Sequence, residues 1–502
     1  MLDPGLETPA EARMLAEQLG QVRGLIAEGR TREAALLFAE VGDPAALPAP
    51  LHAEAWFLQG RLLKSLRDFP AAIAAYRRAI AVDRGSAASF LDLGNCLAET
   101  GQSEAAAASI RAAIAIAPGF KEAHASLGSV LLMAGAETEA EQCYRAALAI
   151  DPAMVVAHQN LAAISAAAGR AAEARGHRDA AYRQQTVFIE RAARPELTVL
   201  MPTTAESGNV PWKFLFPHDR CTVIKWFIEY AREGEAERLP PYDLVFNGIG
   251  DADAAAATDA ALQHFLAGCT RPVLNPPAAV ARTRRDRLPE LLSGIADLLV
   301  PEVTRLDSAH PGPLNVAFPI LLRALGSHGG AGVRLIHSEA EPGLAIGTTR
   351  EGSYLTRFHP FASADGWHRK YRVIFIEGRP FPYHLALSRH WLVHYVTADM
   401  LSDAAKGEAE RAFLEDPEAA IGEAAMAALA ATGRRLALDF AGIDFSILPD
   451  GRVLVFEANA TMLVHPEDEA GPLAYRNDAV RRILGAFRTM VAQARARDHS
   501  AA

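Results

Sequence analysis

Disulfide chemistry is nearly closed to this sequence. Its 502 residues carry four cysteines, Cys96, Cys143, Cys221 and Cys269, far apart and without a CxxC pair. That excludes a disulfide scaffold or a cysteine-held zinc and suits a reducing compartment. No uncharged apolar run reaches the roughly 18 residues of a membrane span. The opening stretch, MLDPGLETPAEARM, lacks the basic and apolar regions of a signal peptide. Positive charge is not in excess: 50 Lys+Arg face 60 Asp+Glu, for a net charge of -10. A nucleic-acid binder would need a basic face to displace counterions. These absences predict a soluble, cytoplasmic protein with neither nucleic acid nor membrane as partner. What is present is ample apolar mass, half of all residues, and a length that suggests about three compact units.

Internal repetition organises the first part. Gly60, Gly94 and Gly128 recur every 34 residues, and Ala162 takes the next position. The same phase runs through Ala72, Ala106, Ala140 and Ala174, then Ala79, Ala113, Ala147 and Ala181. Tyr76, Ile110 and Tyr144 fall between them, and Pro118 and Pro152 end two of the units. This pattern resembles the tetratricopeptide repeat, in which small residues let two antiparallel helices approach where they cross. Units are expected to begin near Ala53, Ala87, Lys121 and Val155, after a degenerate unit at about Leu15 to Pro48. The outermost helices should be atypical caps.

After Arg194 short apolar runs alternate with helical stretches. LTVLMP from Leu197, YDLVFN from Tyr242 and PVLN from Pro272 read as buried strands. Cys221–Arg232 and Ala254–Leu266 read as the helices between them. Such alternation implies a parallel sheet covered by helices. Beyond Val300 the strands shorten and glycines multiply, which predicts α+β lobes.

The stretch GIDFSILPDGRVLVFEANATM, Gly442 to Met462, reads as a β-hairpin turning at Asp450-Gly451. A two-residue turn sets Phe445 against Phe456 and Ile447 against Leu454. On the other face Asp444 opposes Glu457, with Asn459 following opposite Gly442. Opposed carboxylates cost up to about 1 kcal/mol. A hard cation held by Asp, Glu and an amide oxygen would compensate, and magnesium with nucleotide phosphates suits so few ligands. A hairpin whose acidic face meets only water accounts for the pattern equally well. Upstream, a strand at Phe318–Arg323 leads into Gly326-Ser327-His328-Gly329-Gly330-Ala331-Gly332 and another strand. Backbone N–H groups of such a loop can approach phosphate without Cβ obstruction, although a plain hairpin tip reads the same way.

Taken in order, Leu197 to Arg488 resembles an ATP-grasp enzyme, in which two α+β lobes clamp Mg-ATP behind a small α/β domain. Val273–Leu292 is similar to the strand and helix leading into the first lobe, and VPEVTRL at Val300 to the strand that opens it. FPILLR with the glycine loop is similar to the lid over the phosphates, Tyr354–Phe361 to the hinge at adenine. Lys370–His390 is similar to the strand pair carrying an anion-binding arginine.

The resemblance implies an all-α tetratricopeptide-repeat solenoid at 1–194, an α/β pre-ATP-grasp domain at 195–298, and ATP-grasp lobes at 299–360 and 361–495. It implies ATP and Mg²⁺ as cofactors, with Asp444, Glu457 and Asn459 as metal ligands and Arg372 as the catalytic arginine at the γ-phosphate or acylphosphate. Nucleotide would lie against Arg287, Arg323, Ser327, His328, Gly329, Gly330, Gly332, Arg357 and Phe358. Arg287 and Arg323 stand where the family has lysines, in a chain with six Lys and 44 Arg. Lys370 replaces the acid that often precedes the family's arginine, which concentrates positive charge for an anionic substrate.

The implied reaction joins a carboxylate to an amine or similar nucleophile through an acylphosphate. Its substrate would be a small-molecule or peptide carboxylate, and the repeat groove would recruit a peptide or protein or else form a homodimer. Further substrate contacts are expected from His384, Ser388 and Arg389, with His390 and His394 on one parity if the segment is extended. Asn209, with Ser207 and Lys213, sits in the loop after the first strand of the α/β unit, where open sheets bind ligands. A kinase that stops at a phosphorylated hydroxyl, or a scaffold with an inactive ATP-grasp portion, fits the same motifs.

Overall fold

The computed structural model describes residues 9–192, 194–306, 316–326, 332–339, 341, 352–394 and 397–499. The chain divides into two compact units after Gln185. The boundary expected at 194 therefore falls earlier, because residues 187–190 already form a strand of the second unit.

The first unit is a run of helix pairs. They are α1 (Pro9–Ala27) with α2 (Thr31–Val41), α3 (His52–Ser65) with α4 (Phe69–Val82), α5 (Ala87–Glu99) with α6 (Ser103–Ile116), α7 (Lys121–Met133) with α8 (Glu137–Ile150), and α9 (Val155–Ala167) with α10 (Ala171–Gln184). Tyr76, Ile110 and Tyr144 are fully buried at the crossings, against Gly60, Gly94 and Gly128. A Cβ on Gly94 would lie 2.4 Å from Ile110 Cγ1 and 3.0 Å from the Ala106 carbonyl oxygen. Alanine is the better helix former by about 1 kcal/mol, but overpacking a tight crossing costs about 1–3 kcal/mol. Gly94→Ala is therefore expected to destabilise this unit on balance. The check is its urea midpoint by circular dichroism, and a raised midpoint would contradict the crossing argument.

The second unit runs β1 (Val187–Glu190), β2 (Leu197–Thr203), β3 (Cys221–Phe227), β4 (Leu244–Phe246), α11 (Ala252–Ala267), β5 (Val273–Leu274), α12 (Pro277–Arg282) and α13 (Leu288–Leu291). It continues through β6 (Leu298–Leu299), β7 (Val303–Leu306), β8 (Ile320–Ala324), β9 (Arg334–Ile336), β10 (Ser353–Arg357), β11 (His368–Ile376) and β12 (Arg379–Ser388). Then follow α14 (Ala404–Glu415), α15 (Pro417–Ile421), α16 (Glu423–Leu436), β13 (Phe440–Ile447), β14 (Val453–Asn459) and α17 (Asn477–His499).

Three sheets result among the described residues, ordered β1-β3-β2-β4-β5, β7-β10-β8-β9 and β12-β11-β13-β14-β6. The first is parallel except for β1, and β2, β3 and β4 are apolar and buried, as parallel strands covered on both faces require. The helix expected at Cys221–Arg232 is instead β3 and a short 3-10 turn. Its Thr, Val, Ile, Trp and Phe suit a pleated surface, and β1 and β2 flank it on both sides. The second sheet is antiparallel. It is tied to the first through Asp253 on α11, which accepts hydrogen bonds from Arg305 on β7 at 2.6 Å and from the Tyr354 hydroxyl on β10 at 2.8 Å.

The third sheet packs α14, α16 and α17, and β12 lies at its edge. Two donors along that edge are met by side chains. Leu385 N donates to Glu410 Oε1 at 3.1 Å, and Leu387 N meets Met400 Sδ at 3.4 Å. Glu410 is fully buried and also accepts from Arg476 Nη2 at 2.6 Å and the Tyr475 hydroxyl at 2.5 Å.

Candidate functional site

The third sheet carries a transverse row of polar side chains. Register sets His384 of β12 opposite Arg372 of β11, Arg372 opposite Asp444 of β13, and Asp444 opposite Glu457 of β14. Residues in register project to one face. A bulge interrupts β11–β12 just past Arg372 and another interrupts β13–β14 just past Asp444. Bulges of this kind re-aim side chains, and here both border the same row.

The hairpin reaches this register differently from the expectation. Leu448 N donates to Arg452 O and Gly451 N to Leu448 O, so the loop holds three residues, Pro449-Asp450-Gly451. Gly451 alone has positive φ, 87°, whereas a two-residue type I′ turn needs it at both central positions. Phe445 therefore faces Val455, and Ile447 faces Val453, not Phe456 and Leu454. The bulge at Phe456 then restores the pairing of Asp444 with Glu457 and of Gly442 with Asn459.

Each carboxylate sits between two cations. Arg372 grips Asp444 with a fork, Nε to Oδ1 at 2.6 Å and Nη2 to Oδ2 at 2.9 Å, and Lys370 Nζ lies 3.0 Å from Oδ2. Glu457 pairs with Arg285, and Arg323 Nη1 lies 3.6 Å away. Burial opposes ionisation of Asp444, but Arg372 and Lys370 outweigh it and hold the carboxyl far below its usual range. Glu457 is likewise lowered: burial and Asp444 work against its charge, Arg285 and Arg323 for it. Burial, then Arg372, pushes His384 well below the histidine range, so it stays neutral.

These shifts share one sign in pH. Carboxylates with depressed folded pKa values stabilise above the unfolded pKa of about 4, and the contribution is lost as pH falls through their folded values. A histidine held neutral costs stability once pH drops below about 6.5, where the unfolded ring takes a proton. Stability of the second unit should therefore fall continuously from about pH 6.5 downward. Denaturant midpoints measured across that range check it, and a stability maximum near pH 4 would contradict it.

Arg372, Asp444 and Glu457 of the row line a cavity of about 410 Å³, within the range that holds small ligands, whereas His384 is buried and is not among its lining residues. Its polar lining includes Arg285, Arg323, Arg357, Lys370 and His394, and its apolar lining includes Leu321, Phe358, Phe361, Trp391 and Phe456. Phe358 meets Trp391 edge to face at 5.7 Å.

The structure brings Arg323, Arg357, Phe358, Lys370, Arg372, Asp444, Glu457 and Asn459 to this cavity. Asn459 Oδ1 is engaged by Thr461, from N at 2.9 Å and Oγ1 at 2.8 Å, so it must turn to ligate a metal. Arg287 is an exposed residue at the start of α13. Arg285, two residues earlier, occupies the site instead. Nothing in the run Arg284-Arg285-Asp286-Arg287 marks which arginine turns inward. Asn209 does not line this cavity: its amide binds Thr203 Oγ1, Thr204 N, Thr204 O and Glu206 O, and so shapes its own loop.

Arg389 stacks on Trp367 at 3.9 Å and donates to Asp365 O, away from the cavity. β12 ends at Ser388, so the parity expected to run on through His390 and His394 breaks. Ser388 Oγ accepts from His390 N in the turn that follows, while His394 reaches the cavity from irregular chain. Gly332 is described, with φ of 69°. Ser327, His328, Gly329 and Gly330 lie outside the described residues.

Two carboxylates and an amide oxygen are a hard-cation donor set. Four cations against those two carboxylates leave positive charge in surplus, so a bare Mg²⁺ does not fit. The donor set fits Mg²⁺ carried on phosphates, whose oxygens would take over the guanidinium groups and free the carboxylates. Among the described residues no group of three or more His, Cys, Asp or Glu is arranged to hold a metal alone. No helix among them is long and apolar enough to cross a membrane, and the four cysteines are free thiols.

A model of the tetratricopeptide repeat family matches residues 19–89, 57–119 and 91–155. Similar solved structures include MamA, at 21% identity over 33% of this chain and 94% of that one, with a TM-score of 0.29. Pseudomonas aeruginosa pilF is 19% identical over 35% of this chain and 77% of its own, with a TM-score of 0.31. The first repeat domain of Spaghetti (RPAP3), solved with the HSP90 peptide SRMEEVD, is 18% identical over 23% of this chain and 93% of its own, with a TM-score of 0.23. A comparison with curated proteins finds no match. The N-terminal region is thus an array of tetratricopeptide repeats, followed by a mixed α/β region.

Proposed function

We propose that the second unit is an ATP-grasp-type, ADP-releasing ligase that joins a carboxylate to an amine or similar nucleophile, acting on a peptide or protein recruited by the repeats. The observation that carries this reading is the row Arg372–Asp444–Glu457 in a cavity that Phe358, Phe361, Trp391 and Phe456 also line. The aromatic side chains suit a nucleobase, and the cations suit its phosphates. Arg285, Arg323 and Lys370 would hold the phosphate chain, and Arg372 the group in transfer. Magnesium, held by Asp444, Glu457 and Asn459 together with phosphate oxygens, would supply charge neutralisation there.

The substrate carboxylate attacks the γ-phosphorus, giving an acylphosphate and ADP. The nucleophile then attacks the acyl carbon and expels phosphate. Fixed cations aimed at developing negative charge provide most of such catalysis. Repeat arrays present concave faces for protein partners, which makes recruitment the simplest use of the first unit.

The test measures ADP and phosphate formation over a panel of peptide and small carboxylates, in the full chain and in residues 186–502. ADP with stoichiometric phosphate supports the ligase. A stable phosphorylated product without free phosphate assigns a kinase instead. Equal activity of both forms on a peptide removes recruitment. A scaffold with an inactive site is the second reading, favoured by the arginines that already occupy both carboxylates. Failure of the full chain to bind any nucleotide would establish it.

A further inference from the structure

We propose that the cavity of the second unit is loaded in a fixed order: a phosphoanhydride binds first and without metal, and a divalent cation follows. The inference rests on the nucleotide reading for what the ligand is, and on the lining side chains alone for the order.

Charge in the cavity runs against the chain as a whole. The protein is acidic, with a net charge of -10, yet among the described residues five cationic side chains line the cavity against two carboxylates. Lys370 and Arg372 come from β11, Arg323 from β8, Arg285 from the link between α12 and α13, and Arg357 from the end of β10. Setting Arg357 against the exposed Glu302, 4.0 Å away, still leaves four cations over the two carboxylates. Asp251 adds only a weaker attraction to Arg285 and Arg323, from the N-terminus of α11. A cleft lined by surplus charge of one sign concentrates ions of the other, which here are anions.

Exposure decides which ion enters first. The Asp444 side chain is 2% exposed, whereas the two cations bonded to it, Arg372 and Lys370, are 19% and 18% exposed. A ligand entering from the cavity therefore meets the guanidinium and the ammonium before the carboxylate. Arg372 takes one lone-pair direction on each oxygen and Lys370 a second on Oδ2, out of about four that a carboxylate offers. A divalent cation has to displace charge of its own sign to reach Asp444. An anion gains both cations as partners.

Glu457 is directly across the strand from Asp444, and there two guanidinium groups share one carboxylate. Burial, and then Arg285, works against the charge on Arg323 and lowers its pKa, a repulsion that a bound phosphate relieves. A phosphoanhydride carries charge on two adjacent phosphates, so one molecule can engage both neighbouring pairs of cations. Once it has drawn them off, the carboxylates are open to a cation as the second event.

The experiment is calorimetry on the full chain. With a chelator present, pyrophosphate and ADP should each bind at one site with micromolar affinity. Mg²⁺ titrated into the anion-free protein should show no saturable site below about 1 mM. Lys370→Gln should weaken metal-free binding of both anions at least about tenfold. Arg389→Gln, whose guanidinium stacks on Trp367 away from the cavity, should leave it unchanged. ADP bound only when Mg²⁺ is present overturns the order and leaves the nucleotide reading standing, and a saturable Mg²⁺ site on the anion-free protein does the same. Pyrophosphate bound without metal, with ADP bound under neither condition, upholds the order and removes the nucleotide reading. Neither anion bound at about 1 mM, with or without Mg²⁺, overturns both. The wild-type titrations decide the matter even if a variant is less stable.

Discussion

Asp444→Asn is expected to lower ADP formation by about 10²–10³-fold and to destabilise the second unit by about 3–5 kcal/mol. The side chain keeps its size and loses only its charge. Asp444 is 1% exposed and is the counterion of both Arg372 and Lys370, so the substitution leaves two cations facing each other in a desolvated place. A charge pair replaced as a pair avoids that penalty. The double variant Arg372→Met with Asp444→Asn should therefore recover part of the stability and none of the activity. Denaturation midpoints and ADP release together make the test. An Asp444→Asn protein with parental stability and turnover would show that the row neither holds the sheet nor meets nucleotide.

Glu410→Ala should cost a similar 3–5 kcal/mol without touching the cavity. Its carboxylate is the buried partner of Arg476, whose side chain is only 6% exposed. Truncation takes from that guanidinium a carboxylate at 2.6 Å, with Glu467 staying at 3.0 Å, and strips the Tyr475 hydroxyl and Leu385 N of their acceptor. Melting temperature is the readout, with a fall of roughly 10 °C expected. Nucleotide binding at permissive temperature should persist, which separates this variant from Asp444→Asn. A change below about 0.5 kcal/mol would mean that water replaces the carboxylate.

The repeats were legible because their signal is local and recurs: the starts of the last four helix pairs follow from a spacing of about 34 residues, whereas the first pair, which begins at Pro9, lies outside that phase. The pairing of Asp444 with Glu457 was reached through two deviations that cancel. The turn is one residue longer than its Asp-Gly pair suggests, and the bulge at Phe456 takes up the difference. Bulges depend on what the neighbouring strands require, and sequence alternation carries little trace of them. The same holds for Arg285 over Arg287: Arg285 meets Glu457, 172 residues away in the sequence, a contact that composition does not mark. β3 was misread as a helix because its apolar run is continuous, a pattern that buried strands and buried helices share.

The side chains that occupy the open flank of β12 also bear on how copies of this chain meet. A bare outermost strand invites a foreign strand to zip on by main-chain pairing. With Glu410 and Met400 already seated at Leu385 and Leu387, that route is blocked along the stretch beside the cavity. Continuous sheets built through this flank are thereby disfavoured.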